Sequence, residues 1–80
     1  MIKKNDFEIK LDDAQKIGKI VRQYRREKKV TQVELAGFSN LSRLGVVKLE
    51  KAQSDIKLST LIKVVGLLGF DLVLRKRDNA

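Results

Sequence analysis

Residues 31–50, TQVELAGFSNLSRLGVVKLE, contain two short helical patterns with a brief interruption between them, and this spacing restricts the fold more than any other feature of the chain. Thr31 followed three residues later by Glu34 is a capping box, which predicts a helix that begins directly after the threonine. Asn40 tolerates the left-handed backbone of a sharp turn, and Ser42 can cap a following helix. Two helices joined by so short a turn cross at about 90–120°. The segment therefore predicts a helix-turn-helix.

Apolar residues at helical spacing predict which sides of these helices face the core. Leu35, Ala36 and Phe38 are expected to point inward from the first of them, and Val46 and Leu49 from the second. The small alanine would let the two backbones approach closely where they cross.

Length and charge narrow the class of protein. The 80 residues contain no proline, repeat or low-complexity tract, which predicts one small domain with a marginal core. Eighteen Lys and Arg against ten Asp and Glu give a net charge of +8, which favours a polyanionic partner such as nucleic acid or an anionic membrane surface. No stretch has the apolar character of a signal peptide or of a membrane span of roughly 20 residues. A soluble cytoplasmic protein is therefore expected.

The residues before the helix-turn-helix predict an arm and a first helix. Residues 1–11 are mixed in charge, and apolar and polar residues alternate from Phe7 to Leu11, as in a short extended segment. A helix is predicted to begin after an Asp12 cap and to end near Glu27. Its core face carries Ala14, Ile17, Val21 and Tyr24, and its charged face carries Lys16, Lys19, Arg22 and Arg26.

The C-terminal third predicts a fourth helix that ends at Gly69, followed by one strand over residues 70–75. The core stripe of this helix is expected at Leu58, Leu61, Ile62, Val65 and Leu68. A lone strand is not stable, so we expect a two-fold dimer in which each strand pairs antiparallel with its mate. The segment Phe7–Leu11 is an alternative partner. The predicted dimer surface comprises Val64, Leu67, Phe70, Leu72 and Leu74.

The residue inventory argues against catalysis. His and Cys are both absent, which removes the usual ligands of zinc, haem and iron–sulfur clusters and the usual general base. Asp12 and Asp13 are adjacent and cannot face each other across a substrate. We therefore expect no enzyme activity, no metal and no cofactor. A membrane-surface role for the first helix is disfavoured because its apolar face is that of an ordinary core, and RNA stacking is disfavoured by the few aromatic residues.

Seven positions resemble the helix-turn-helix of the Xre and lambdoid-phage-repressor family. They are Gln32, Leu35, Ala36, Leu41, Val46, Leu49 and Glu50. With residues 54–77 included, the chain most resembles the HipB-type antitoxins of type II toxin–antitoxin systems, which add a C-terminal strand after the last helix. Three residues depart from the family pattern: Asn40 stands at the turn glycine, Lys29 at the glycine before the second helix, and Gly45 where larger residues are common.

The resemblance implies an organisation for the whole chain. The fold is expected to be mainly α, with a four-helix lambda-repressor-like helix-turn-helix domain over residues 12–69. The arm over residues 1–11 precedes this domain. A β-strand over residues 70–75, paired across a homodimer, and a tail over residues 76–80 follow it.

In this family the third helix lies in the DNA major groove. The implied base-contacting residues are Ser42, Arg43, Leu44 and Lys48. These side chains can share a broad helix face away from the core. Arg43 is the strongest candidate, because its planar fork can donate twice to guanine O6 and N7, a contact worth about 1–3 kcal/mol of discrimination. Leu44 could contact a thymine methyl group.

The resemblance also implies phosphate contacts and a structural ion pair. Gln32, at the start of the second helix, resembles a phosphate-contacting glutamine, and the helix N-terminus adds N–H groups and a favourable dipole. Lys51 and Arg22 are expected beside the same phosphates. Arg25 and Glu50 are expected to form a partly buried pair that braces the first helix against the third, so Glu50 is interpreted as structural.

The sequence is consistent with two functions. The preferred hypothesis, by resemblance alone, is a DNA-binding antitoxin that autoregulates its operon and neutralises a kinase-like HipA-type toxin. The alternative is a stand-alone Xre-type transcriptional repressor with no toxin partner. Either is expected to be a bacterial or phage-encoded, nucleoid-associated homodimer that binds a roughly palindromic operator in double-stranded DNA, with recognition helices about 34–36 Å apart.

Overall fold

A computed structural model describes residues 7–78, and the regular structure in this range is entirely helical. The helices are α1 (Ala14–Glu27), α2 (Gln32–Ser39), α3 (Arg43–Glu50) and α4 (Leu58–Leu67). The helix α2 contacts both α3 and α4, and α1 contacts α3. The predicted four-helix arrangement around a helix-turn-helix is therefore confirmed.

Side-chain caps begin three of the helices. The Asp13 carboxylate accepts from the Lys16 backbone N–H at 2.8 Å and caps α1, so the cap lies one residue after the expected Asp12. Thr31 and Glu34 form the predicted capping box at the start of α2, with both hydrogen bonds at 3.0 Å. Ser42 accepts from the Gly45 N–H at 2.9 Å and caps α3. Local sequence thus fixes where these helices begin.

The turn between α2 and α3 depends on a left-handed residue. Asn40 has φ 58° and ψ 30°, the conformation that its short polar side chain tolerates. Lys29, before α2, has φ 58° as well, which explains why a glycine is usual at this position of the family. Both departures from the family pattern therefore keep the glycine-like backbone.

One apolar core joins the four helices. It consists of Val21, Leu35, Ala36, Val46, Leu49, Val64 and Leu68. Partly buried residues from the helices and from the flanking segments pack around it. Each fully buried Val or Leu side chain stabilises the fold by about 1.5–3 kcal/mol, so a core of this size is sufficient for a small domain only if its packing is tight.

A very close approach between two helices occurs at Gly18. A Cβ atom on this residue would lie 2.6 Å from the Glu50 carbonyl oxygen and 2.7 Å from that of Leu49. Both neighbours are backbone atoms and cannot rotate away. Gly18 therefore lets α1 cross the C-terminal end of α3 in direct backbone contact.

The expectation that Phe38 points inward is wrong. Its side chain is 65% exposed, and the next residue, Ser39, occupies the core-facing position. The Ser39 hydroxyl donates to the Leu35 carbonyl oxygen within the same helix, which satisfies the buried polar group. With only two turns, α2 offered too few apolar residues for their spacing to define its buried face.

The expectation that Val64 belongs to an exposed second surface, and hence to a dimer interface, is also wrong. Val64 is 0% exposed and is part of the core. The buried face of α4 is turned from the predicted stripe toward Val64, which leaves Leu58 and Ile62 facing solvent. Leu67 is 43% exposed.

The predicted strand over residues 70–75 is not formed, and no β-strand occurs within residues 7–78. A strand requires a ladder of backbone hydrogen bonds to a neighbour, and no segment of the described chain supplies one. The Phe70 N–H instead donates to the Val65 carbonyl oxygen at 2.8 Å and closes the end of α4.

The N-terminal arm and the C-terminal segment lie on the same side of α1. The Phe70 ring packs edge-on against Tyr24 with a centroid distance of 4.7 Å, and Phe7 contacts both rings. Arg75 donates to Glu8 at 3.2 Å in an exposed ion pair. The arm is thus a neighbour of the segment, as the alternative pairing expected, but no ladder joins their described residues.

Residues 1–6 of the predicted arm and residues 79–80 of the predicted tail lie outside the described range.

Candidate nucleic-acid interface

The predicted base-contacting residues lie together at the exposed N-terminal part of α3. Arg43, Leu44 and Lys48 are exposed, while Val46 and Leu49 hold the opposite side of the helix in the core. Ser42 is exposed too, and its oxygen accepts the capping hydrogen bond from Gly45. We call the surface of Ser42, Arg43, Leu44 and Lys48 the recognition face.

The recognition face combines one apolar side chain with polar and charged ones. Leu44 is 60% exposed, and the hydroxyl of Ser42 and the charged groups of Arg43 and Lys48 share its surface. An apolar side chain flanked by donors is the mixture that base edges in a major groove can accept, since the thymine methyl group is apolar and guanine offers two acceptors.

A cleft beside the recognition face brings the predicted phosphate-contacting residues together. It is lined by Arg22, Arg25, Arg26, Gln32, Val47, Glu50 and Lys51, and we call it the basic cleft. Gln32 is the first residue of α2, so the N-terminus of that helix, with its backbone N–H groups that lack partners within the helix, lies at the basic cleft. Arg26 was predicted only as part of a charged helix face, and its place one turn after Arg22 on α1 was the signal for a shared role.

The floor of the basic cleft is an ion pair. Arg25 Nε lies 2.6 Å from Glu50 Oε2, Arg25 Nη2 lies 3.1 Å from Glu50 Oε1, and Arg25 Nη1 donates to the Val30 carbonyl oxygen at 2.9 Å. The Glu50 side chain is only 4% exposed. Hydrogen bonding to Glu50 raises the pKa of the Arg25 guanidinium above its ordinary value. The pair joins α1 to α3, and each of the three guanidinium nitrogens of Arg25 donates one hydrogen bond within the domain.

Gln32 is held by the same carboxylate. Its Nε2 donates to Glu50 Oε1 at 3.3 Å, so one of its two amide hydrogens is directed into the floor of the cleft. Among the described residues the Gln32 amide donates no second hydrogen bond, and Gln32 lines the cleft. Sequence reasoning placed Gln32 beside phosphate but missed this bond, because it joins residues 18 positions apart.

Among the described residues, no carboxylate forms an ion pair with the remaining cations of the cleft and of the recognition face. Within residues 7–78 the ion pairs are Lys16–Asp12, Arg25–Glu50 and Arg75–Glu8. The cations without such a partner in this part of the chain are Arg22, Arg26, Arg43, Lys48 and Lys51. Unpaired cations beside an exposed helix form the electrostatic footprint of a nucleic-acid surface.

Comparison with known proteins agrees with this geometry. The family model described as Helix-turn-helix (HTH_3) matches residues 21–74, and the chain belongs to this helix-turn-helix family. The chain is also similar to the immunity repressor protein of Bacillus phage phi105, with 39% identity over 56 residues that make up 70% of this chain. It spans 39% of the length of that relative.

These findings confirm the expected Xre-like helix-turn-helix. They do not bear on HipB-type antitoxins, so that part of the resemblance stays a prediction. Among residues 7–78, no helix is both long enough and apolar enough to cross a bilayer.

Proposed function

We propose that this chain is a sequence-specific transcriptional repressor that acts without a toxin partner. The observation that carries the proposal is the exposed recognition face of α3 directly beside a basic cleft at the start of α2. The similarity to a phage immunity repressor supports the same function. A nucleoid location, in a bacterium or encoded by a phage, follows from this proposal.

In the proposed complex, α3 enters the major groove with its N-terminal end toward the bases. Arg43 donates twice to a guanine, Lys48 donates once to a base acceptor, and Leu44 contacts a thymine methyl group. The bidentate arginine contact accounts for about 1–3 kcal/mol of discrimination against a wrong base pair. Ser42 keeps its hydroxyl hydrogen for a base or a phosphate while its oxygen caps the helix.

The basic cleft holds the DNA backbone. Arg22, Arg26 and Lys51 supply positive charge, and Gln32 with the α2 N-terminus supplies neutral donors. Phosphate contacts fix the register of the protein on the duplex but carry no sequence information directly. The basic cleft therefore contributes mainly to affinity, and the recognition face contributes mainly to sequence specificity.

Dimerisation is part of the proposal. Leu74 is fully exposed, Leu67 is 43% exposed, and Leu58 and Ile62 add apolar surface on α4. A second copy of the chain would cover this surface and would supply the neighbour that the segment over residues 70–75 lacks. Two recognition helices about 34–36 Å apart would then read a roughly palindromic operator.

The antitoxin hypothesis now has less support than the repressor. It is based on a resemblance to HipB-type antitoxins, whereas the matching relative is a phage immunity repressor. A kinase-like HipA-type partner stays a prediction. Its test is mass spectrometry of proteins that co-purify with the tagged chain after nuclease digestion, where a stoichiometric kinase-like protein would restore the antitoxin function.

The direct test of the repressor is selection of binding sites from random duplexes, followed by affinity measurements on the selected operator. Arg43→Ala should lower operator affinity about tenfold and relax the base preference at one position, at unchanged thermal stability. Lys63→Ala is the matched control, because Lys63 is an exposed cation on α4 outside the basic cleft. Equal losses on operator and scrambled duplex would reassign Arg43 to a phosphate.

A further inference from the structure

Glu50 accepts more hydrogen bonds than an ion pair that only braces two helices requires. Its two carboxylate oxygens receive Arg25 Nε, Arg25 Nη2 and Gln32 Nε2, at 2.6, 3.1 and 3.3 Å. The first two bonds are sufficient to hold α1 against α3. The third one reaches the first residue of α2, at the mouth of the basic cleft.

We propose that Glu50 is also a positioning residue: it orients the Gln32 amide so that the second Nε2 hydrogen faces a DNA phosphate in the basic cleft. This role rests on the proposed DNA binding. It goes beyond the structural interpretation of Glu50, because it links a buried carboxylate to a contact with the ligand.

The hydrogen-bonding capacity of three groups determines how the Gln32 amide must lie. An ionised carboxylate and a phosphate diester can only accept hydrogen bonds, whereas an NH2 group has two donors. The amide of Gln32 therefore bridges two acceptors only if its nitrogen lies between them. The terminal torsion of a glutamine is broad and nearly two-fold, so without Glu50 the amide would present its oxygen about as readily as its nitrogen.

The charge of Arg25 offsets the cost of burying the Glu50 carboxylate. The Arg25 guanidinium binds Glu50 through two nitrogens and the Val30 carbonyl oxygen through the third. The buried pair is thus neutral, and the other cations of the basic cleft provide the attraction for phosphate. Glu50 acts on the direction of a donor and not on the net charge that the phosphate meets.

The test is a double-mutant cycle on operator affinity with the wild-type protein, Glu50→Gln, Gln32→Ala and the double variant. A glutamine side chain in place of Glu50 can offer either its oxygen or its nitrogen, so it no longer selects one orientation of Gln32. We expect Glu50→Gln to weaken operator binding about tenfold when Gln32 is present, the loss of one hydrogen bond to a charged group. In the Gln32→Ala background the same change should alter affinity less than twofold.

The cycle separates positioning from stability. Any loss of folding, and any general gain in DNA attraction from the removed negative charge, acts in both backgrounds and cancels. The same fold-change in both backgrounds would overturn the positioning role and leave Glu50 as a brace. A wild-type protein that binds no duplex would instead refute the proposed function.

A measurement on the wild-type protein covers the case in which Glu50→Gln fails to fold. Side-chain ¹⁵N–¹H spectra should show one Gln32 amide proton protected from exchange in the free protein and the other shifted when operator duplex is added. Gln53, which is exposed, is the internal control. Gln32 protons that exchange as freely as those of Gln53 would also overturn the proposal.

Discussion

Replacement of Gly18 by alanine should destabilise the domain although alanine is the better helix former. The added Cβ would lie 2.6 and 2.7 Å from two backbone oxygens at the end of α3, well inside ordinary van der Waals contact. Relief requires α1 and α3 to separate, and overpacking of this kind costs about 1–3 kcal/mol. The helical preference of alanine over glycine offsets about 1 kcal/mol of that cost. Because both neighbours are backbone atoms, we take the upper end of the overpacking range and expect a net loss of about 2 kcal/mol.

Thermal and urea denaturation followed by circular dichroism would measure this loss. For a domain of this size, about 2 kcal/mol corresponds to a fall in Tm of roughly 8–16 °C. Gly66→Ala is the matched control, because a Cβ at this helical position would meet nothing within 4 Å. That change should leave stability equal or raise it by up to about 1 kcal/mol. A Gly18→Ala protein as stable as the wild type would refute the close crossing of α1 and α3.

Three further predictions concern salt, pH and assembly. The cations Arg22, Arg26 and Lys51 should contribute a slope of about −3 to log affinity against log salt for each protomer, and a flat salt titration would contradict phosphate binding by the cleft. The hydrogen bond from the Thr31 backbone N–H lowers the pKa of Glu34 below its ordinary value of 4.5. The capping box should therefore stabilise the folded state above pH 4.5, and this contribution should be lost as the pH falls and the Glu34 carboxyl protonates. Urea titrations at about pH 6 and about pH 3 would give the difference in unfolding free energy between the wild type and Glu34→Gln. A difference that is the same at both pH values would exclude this contribution of the ionised Glu34 side chain. Leu74→Asp should weaken self-association in sedimentation equilibrium, since Leu74 is fully exposed in the single chain, and unaltered association would remove it from the interface.

The parts of the fold that could be predicted from sequence depend on local chemistry. The caps at Thr31 and Ser42 and the left-handed turn at Asn40 each depend on residues close to one another in the chain. The burial of Val46 and Leu49 followed from helical spacing, whereas the choice of Ser42, Arg43, Leu44 and Lys48 as base-contacting residues came from the family resemblance. Such features are visible in a single sequence.

Features that depend on contacts between distant residues could not be predicted. The burial of Val64 depends on how α4 turns against α2, and the exposure of Phe38 depends on two helices that share α2 as a neighbour. The bond from Gln32 to Glu50 and the crossing at Gly18 join residues that only the folded chain brings together. The segment over residues 70–75 has strand-like alternation, but alternation supplies no partner for its backbone.

Three residues with a left-handed backbone conformation leave room to increase the stability of this domain. Lys29, Asn40 and Ala52 all have φ between 56° and 58°, and none of them is glycine. Each L-residue held in this conformation costs roughly 1–2 kcal/mol relative to the right-handed one, with asparagine the least penalised. Glycine would remove that strain, but its greater conformational entropy would stabilise the unfolded chain by about 0.4–1 kcal/mol. Ala52, which has no polar group to support its conformation, is therefore where an engineer would first find a more heat-resistant variant without touching the DNA-facing surface.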